Sequence, residues 1–121
     1  MKQDKKNYLQ LYDLETYLFD TVRPRFHQQG FLSAFDFFCI VIWKANRAKR
    51  TIAKRLLRYG YSNLEDAVGA LTRGLAKAGT PEDRLRYLWD TWGFRLPMAS
   101  AILAVLFPED FTVYDLSLIH I

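Results

Sequence analysis

A carboxylate near the end of the chain has surroundings that suit catalysis. Asp115 stands in the run Phe-Thr-Val-Tyr-Asp-Leu, residues 111–116. A carboxylate among apolar groups holds its proton more tightly or faces a developing cation, which fits a general base or a stabiliser of an oxocarbenium ion. The same residue could simply cap the element that follows it, and that interpretation ranks first for an isolated aspartate.

A basic run in the middle of the chain could bind phosphate. Seven of the fifteen residues from Lys44 to Arg58 are basic, and no carboxylate occurs between Phe37 and Ser62. On a helical wheel one side is basic and the other apolar. The basic side holds Arg47, Arg50, Lys54 and Arg58, and the apolar side holds Ala48, Ile52, Ala53 and Leu56.

Such a face can lie along a nucleic-acid backbone, where counterion release makes the affinity fall with salt. The solvated face of an ordinary amphipathic helix gives the same pattern, and we weigh the two interpretations evenly. An anionic membrane fits less well, because the apolar side lacks the bulky aromatics of interfacial helices.

A turn between two helices is the third candidate. Gly93 permits a backbone geometry that other residues avoid, and the next helix has proline, Pro97, in its first turn. The unpaired amides at that helix start favour an anion, and Arg95 adds a positive charge. A plain helix connection with a glycine cap has the same sequence, and it is the commoner explanation of such a turn.

A series of helices must position these residues. Apolar spacing and turn signals predict a first helix over about 5–20, broken by Pro24 and Gly30, and a second from Ser33 that is apolar all round and central. The predicted N-caps are Ser33, Asn46, Ser62 and Thr80, and the predicted terminators are Gly60, Gly79 and Gly93. A sixth helix spans about 96–107. The fold class is therefore all-α.

The end of the chain resembles the helix-hairpin-helix DNA glycosylase superfamily, which includes endonuclease III and the 8-oxoguanine glycosylases. Gly93 is similar to the first hairpin glycine, residues 99–103 to the start of the following helix, and Asp115 to the aspartate in its spacing and apolar lead-in. The resemblance spans 31–115. It implies that Asp115 is catalytic and assists cleavage between base and sugar after the nucleotide leaves the duplex.

The chain departs from the superfamily pattern in three places. Arg95 replaces the second hairpin glycine, and Pro97 stands where bifunctional enzymes have lysine, so the resemblance implies a monofunctional enzyme without Schiff-base chemistry. The superfamily also continues well beyond its aspartate. We therefore expect an incomplete domain with a non-native tail over 116–121, and exposed apolar side chains on the sixth helix.

Composition narrows the class of protein. The chain has 121 residues, 50% hydrophobic, which suits one domain, and its net charge of +4 permits a polyanionic partner. A single cysteine, Cys39, rules out an internal disulfide and a thiolate cage, and we expect no metal or cofactor. The charged start is unlike a signal peptide, and no apolar run approaches the roughly 20 residues of a membrane span. These features predict a soluble cytoplasmic protein.

Together the patterns predict a single helical domain over 1–121 that binds double-stranded DNA, belongs to DNA repair and resembles a monofunctional glycosylase. Two alternatives stay open: a non-catalytic helical DNA-binding module, and a helical protein-interaction domain. The predicted catalytic residue is Asp115, and the predicted DNA contacts are Gly93, Arg95, Met98, Lys44, Arg47, Arg50, Lys54 and Arg58.

Overall fold

The computed structural model describes residues 12–111, and helices with short turns make up this part of the chain. It contains no β-strand between residues 12 and 111, so the prediction of an all-α fold is confirmed. The α-helices are α1 (Arg23–Gln29), α2 (Ala34–Ala45), α3 (Lys49–Leu57), α4 (Leu64–Lys77), α5 (Pro81–Arg86) and α6 (Leu96–Leu106). Helical residues 12–17 and a π-helical turn (Leu18–Val22) lead into α1, a 3₁₀ turn (Asn46–Ala48) leads into α3, and a second π-helical turn (Tyr87–Thr91) follows α5.

The centre of the fold is α6. Nine of its 11 residues, from Met98 to Leu106, are buried. It packs against α1, α2 and α5 and against both π-helical turns. A helix that is apolar on every side must be covered on every side. The expectation that its apolar side chains would be exposed is therefore wrong, and α6 holds the central place that the sequence assigned to α2.

Two side chains of the first helical segment satisfy the carbonyls at the C-terminal end of α6. The Arg23 Nε–H donates to the Val105 carbonyl at 2.5 Å, and the His27 Nε2 nitrogen lies 2.6 Å from the Leu106 carbonyl, to which it donates. The last carbonyls of a helix have no partner within the helix, and positive groups there also complement its dipole. His27 lies in the last turn of α1, which brings its ring to this end of α6.

Pro24 does not end the first helix as predicted. Helical structure runs from residue 12 through Gln29, and the π-helical turn ends at Val22, two residues before Pro24. There the Arg23 N–H donates to the Leu18 carbonyl, five residues back. In a regular helix proline is costly because its ring clashes with the carbonyl four residues back and because it has no N–H to donate. A wider turn before the proline avoids both costs. The helix ends only at Gly30, with φ of 79°, about nine residues beyond its predicted end.

A buried carboxylate ties the first helical segment to α2. Asp36 is fully buried, and it accepts hydrogen bonds from the Tyr17 hydroxyl at 2.5 Å and from Arg25 at 2.6 Å. The hydrogen bond to Asp36 is the largest of the effects that raise the pKa of Tyr17. Ser33 caps α2 through the Asp36 N–H, as predicted, while the Asp36 side chain reaches across to the preceding helix.

The predicted caps are partly correct. Thr80 caps α5 by accepting from the Asp83 N–H, and Pro81 takes the first turn. At α4 the cap is Asn63 rather than Ser62, one residue later than predicted. Asn46 caps nothing, because it lies in the 3₁₀ turn and α3 begins at Lys49 without a side-chain cap.

We expect Arg23→Met to lower the free energy of unfolding by about 1–3 kcal/mol, because it leaves a carbonyl of the buried helix without its charged donor. The matched control is Arg86→Met at an exposed position of α5, which should change stability far less. Urea titrations of both variants make the comparison. Equal stability of the two would show that the Val105 carbonyl does not depend on Arg23.

Candidate nucleic-acid interface

The basic side of α3 is exposed to solvent. Arg50 and Lys54 lie one helical turn apart, Arg58 follows at the C-cap, and all three are exposed. On the other side of the helix, Ile52 and Leu56 are buried in the core. The predicted division into a basic and an apolar face is therefore confirmed for this helix.

Lys44 and Arg47 do not belong to that helix. The backbone leaves α2 at Ala45, with φ of −159° and ψ of 89°, so one continuous wheel cannot hold both residues with α3. Arg47 is exposed in the 3₁₀ turn that precedes α3, whereas Lys44 is half-buried at the end of α2. Arg47 therefore extends the exposed basic surface, while Lys44 contributes less to it.

The basic side chains of α3 and of the turn before it form no ion pair with any residue between 12 and 111. Within residues 12–111, ion pairs join Arg25 to Asp36 and Arg84 to Asp110. Neither pair includes a residue of α3 or of the 3₁₀ turn before it. Within the described range, the exposed guanidinium and ammonium groups of this surface therefore point to solvent without an ion pair.

The turn before α6 has the predicted glycine geometry. Gly93 has a φ of 72°, a conformation that L side chains rarely adopt. Its N–H donates to Trp89, the Phe94 N–H donates to Leu88, and the Phe94 side chain is buried. Arg95 is exposed at the start of α6, and its side chain makes no cap hydrogen bond.

The sequence predicts that Met98 contacts DNA, but its side chain is not accessible for such a contact. The side chain is only 9% exposed and belongs to the core. Its backbone N–H is in the first turn of α6, where amides lack a helical acceptor, and Pro97 beside it has no N–H at all. Arg95 is therefore the side chain of this turn that is exposed for a contact with DNA.

The structure brings the basic helix and the turn together. The rings of Tyr59 and Trp92 lie 4.7 Å apart between centroids, and the Arg55 guanidinium lies 5.1 Å from the Phe94 ring centroid. The Tyr59 hydroxyl is also 3.6 Å from the place that a Cβ at Gly93 would occupy. The C-terminal end of α3 thus touches the segment on either side of Gly93, although about 35 residues separate them in sequence.

Aromatic residues at this junction were missed by the sequence interpretation. Tyr59 and Tyr61 both lie close to Trp92, whereas Trp89, three residues before Trp92, is 52% exposed. The signal that was available is the pair of tyrosines around Gly60, directly after the basic helix. The π-helical turn that contains Trp89 explains its exposure, because the extra residue in that turn shifts the helical register.

The predicted catalytic residue lies outside the described residues, as do residues 116–121. Within residues 12–111, no three histidine, cysteine or acidic side chains stand close enough to hold a metal ion. Cys39 is buried, as predicted for a core residue, and burial raises the pKa of its thiol. Each helix in the described range is too short or too polar to cross a bilayer.

Comparison with known proteins identifies no relative. No protein-family model, no curated protein and no solved structure matches this chain. The resemblance to the helix-hairpin-helix glycosylases therefore stays a prediction from the sequence. Geometry alone supports a binding role for the basic helix and for the turn before α6.

We expect Gly93→Ala to lower the free energy of unfolding by about 1 kcal/mol, because alanine strains the left-handed backbone. Gly79→Ala is the matched control, since Gly79 is exposed, has no positive φ, and has no atom within 4 Å of an added Cβ. Thermal and urea unfolding measure both. Equal effects at the two glycines would contradict the conformational requirement at Gly93.

Proposed function

We propose that this chain binds double-stranded DNA by its phosphates. The binding surface consists of exposed cations of the 3₁₀ turn, of α3 and of the turn before α6, and we name it the basic surface: Arg47, Arg50, Lys54, Arg58 and Arg95. The observation that carries the proposal is the contact between the end of α3 and the turn at Gly93. Two segments that separately suit phosphate thereby lie side by side.

The charge of the basic surface and the spacing of its residues along α3 both support this function. The basic surface has no ion-pair partner within the described residues, and the chain carries a net charge of +4. Arg50 and Arg58 are separated by about 12 Å along the helix axis. This distance covers three to four base pairs of a duplex at about 3.4 Å each, so several residues can contact one backbone at once.

We expect Arg50→Gln/Lys54→Gln to weaken binding to duplexes of unrelated sequence to a similar extent. The magnitude of the slope of log affinity against log salt should decrease by about 1.8, because each lost phosphate contact removes about 0.9. Lys77→Gln/Arg86→Gln is the matched control, since it removes two exposed charges from α4 and α5. Fluorescence anisotropy titrations over a range of salt concentrations measure the slopes. Equal slopes for the two double variants would remove the basis for the proposed surface.

Base excision is the second part of the proposal, and it rests on the resemblance to the glycosylases. In that role the Asp115 carboxylate acts on the developing oxocarbenium ion rather than on phosphate. We expect Asp115→Asn to abolish base release from damaged duplex while the affinity for DNA stays nearly unchanged. Release of the base is measured by alkaline cleavage of a labelled strand. Base release at an equal rate by the variant would contradict the assignment, and absence of release by the parent chain favours a non-catalytic DNA-binding module.

A further inference from the structure

Two half-exposed tyrosines cover a buried tryptophan at the edge of the basic surface. Tyr59 is 43% exposed and Tyr61 is 37% exposed, whereas Trp92 between them is 3% exposed. The Tyr61 ring lies 6.0 Å from Trp92 at an interplanar angle of 19°, which is a stacked arrangement. Trp92 therefore stacks on the Tyr61 ring while part of that ring stays open to solvent.

Tyr61 also lines a cavity with an aromatic floor and an acidic side. The cavity has a volume of about 420 Å³ and is bounded by Phe31, Tyr61 and Arg73, whose guanidinium lies 4.6 Å from the Phe31 ring centroid. Its acidic side carries Glu65 and Asp66. One Glu65 oxygen accepts from the Ala34 N–H, and the Asp66 carboxylate makes no hydrogen bond or ion pair within residues 12–111.

Charged side chains lie on both flanks of the two tyrosines. Arg58 directly precedes Tyr59, and Arg95 follows the Gly93 turn that Tyr59 touches. The cavity beyond Tyr61 carries the carboxylates of Glu65 and Asp66 together with the Arg73 guanidinium. Arg58 and Arg95 can attract a phosphate outside the cavity, whereas the two carboxylates can accept hydrogen bonds from an aromatic group that has donors.

We propose that this junction binds an unpaired nucleotide of single-stranded DNA. The base stacks on Tyr61 inside the cavity, its amino edge faces Glu65 and Asp66, and its flanking phosphates lie on Arg58 and Arg95. The proposal rests on the phosphate-binding function above and adds a preference for single strands over duplexes. In a duplex the faces of each base are covered by its neighbours, so Tyr61 has no face to stack on.

The chemistry of the cavity selects among bases. Stacking on an aromatic side chain contributes about 1–3 kcal/mol per base and tolerates every base. Carboxylates accept a hydrogen bond from the amino group of cytosine, whereas thymine presents a carbonyl oxygen at the same position. Cytosine should therefore bind more tightly than thymine, although the two rings are of similar size.

The test compares labelled oligo(dC), oligo(dT) of the same length, and a duplex at pH 7.5. We expect oligo(dC) to bind most tightly. Tyr61→Ala should weaken oligo(dC) binding by about 5- to 150-fold at an unchanged salt slope, because stacking involves no counterions. Tyr61→Phe should bind like the parent chain. Phe35→Ala is the control for an exposed aromatic residue elsewhere, at 70% exposure on α2, and it should bind normally.

A second pair of variants separates stacking from folding and from base selection. Tyr61→Leu keeps an apolar cover over Trp92 without an aromatic face, so it should lose affinity like Tyr61→Ala while its thermal midpoint stays near that of the parent chain. Asp66→Asn should reduce the preference for oligo(dC) over oligo(dT).

The outcomes distinguish this proposal from the function on which it rests. If Tyr61→Leu binds oligo(dC) as well as the parent chain, or if the parent chain binds oligo(dC) and oligo(dT) equally, the nucleotide site is wrong. The proposed function then still stands, provided that duplex binding depends on Arg50 and Lys54. If the parent chain binds none of the three DNAs, both proposals are wrong.

Discussion

The burial of α6 is the constraint on which the rest of this structure depends. Its residues from Met98 to Leu106 are all buried, so every neighbouring element has to supply an apolar surface toward it. At roughly 25 cal/mol per Å² of apolar surface removed from water, a fully enclosed helix is a large part of the driving force for folding. The surrounding helices consequently direct their polar faces outward. The helix α3, which packs on α2 and α4, likewise keeps its basic side in solvent.

An enclosed helix brings a second requirement, because its terminal backbone groups must be satisfied without water. At the C-terminal end the side chains of Arg23 and His27 meet the carbonyls. At the N-terminal end the chain enters through the Gly93 turn, where Arg95 is exposed and Phe94 is buried. The candidate interface therefore lies where the central helix comes to the surface, and its position follows from the packing of the core.

The two π-helical turns have related consequences. The first allows one helical segment to continue through Pro24, so that Arg23 and His27 reach the end of α6. The second leaves Trp89 exposed and Trp92 buried, although residues three apart normally share a helix face. Trp92 then lies beneath Tyr59 and Tyr61, and these rings occupy the border between the basic surface and the acidic side of the cavity.

The sequence by itself determined the helical class, the exposed basic side and apolar side of α3, the caps at Ser33 and Thr80, and the backbone geometry at Gly93. These features depend on residues within one or two helical turns, where side-chain periodicity and local hydrogen bonds decide the outcome. Only the tertiary structure decided which helix is central, where Lys44 lies relative to α3, and that α3 ends against the Gly93 turn. The buried position of Asp36 shows the reason. The cap at Ser33 uses the backbone N–H of Asp36 and does not depend on where the Asp36 side chain points. That side chain bonds to Tyr17 and Arg25, which packing brings close and which no local pattern specifies.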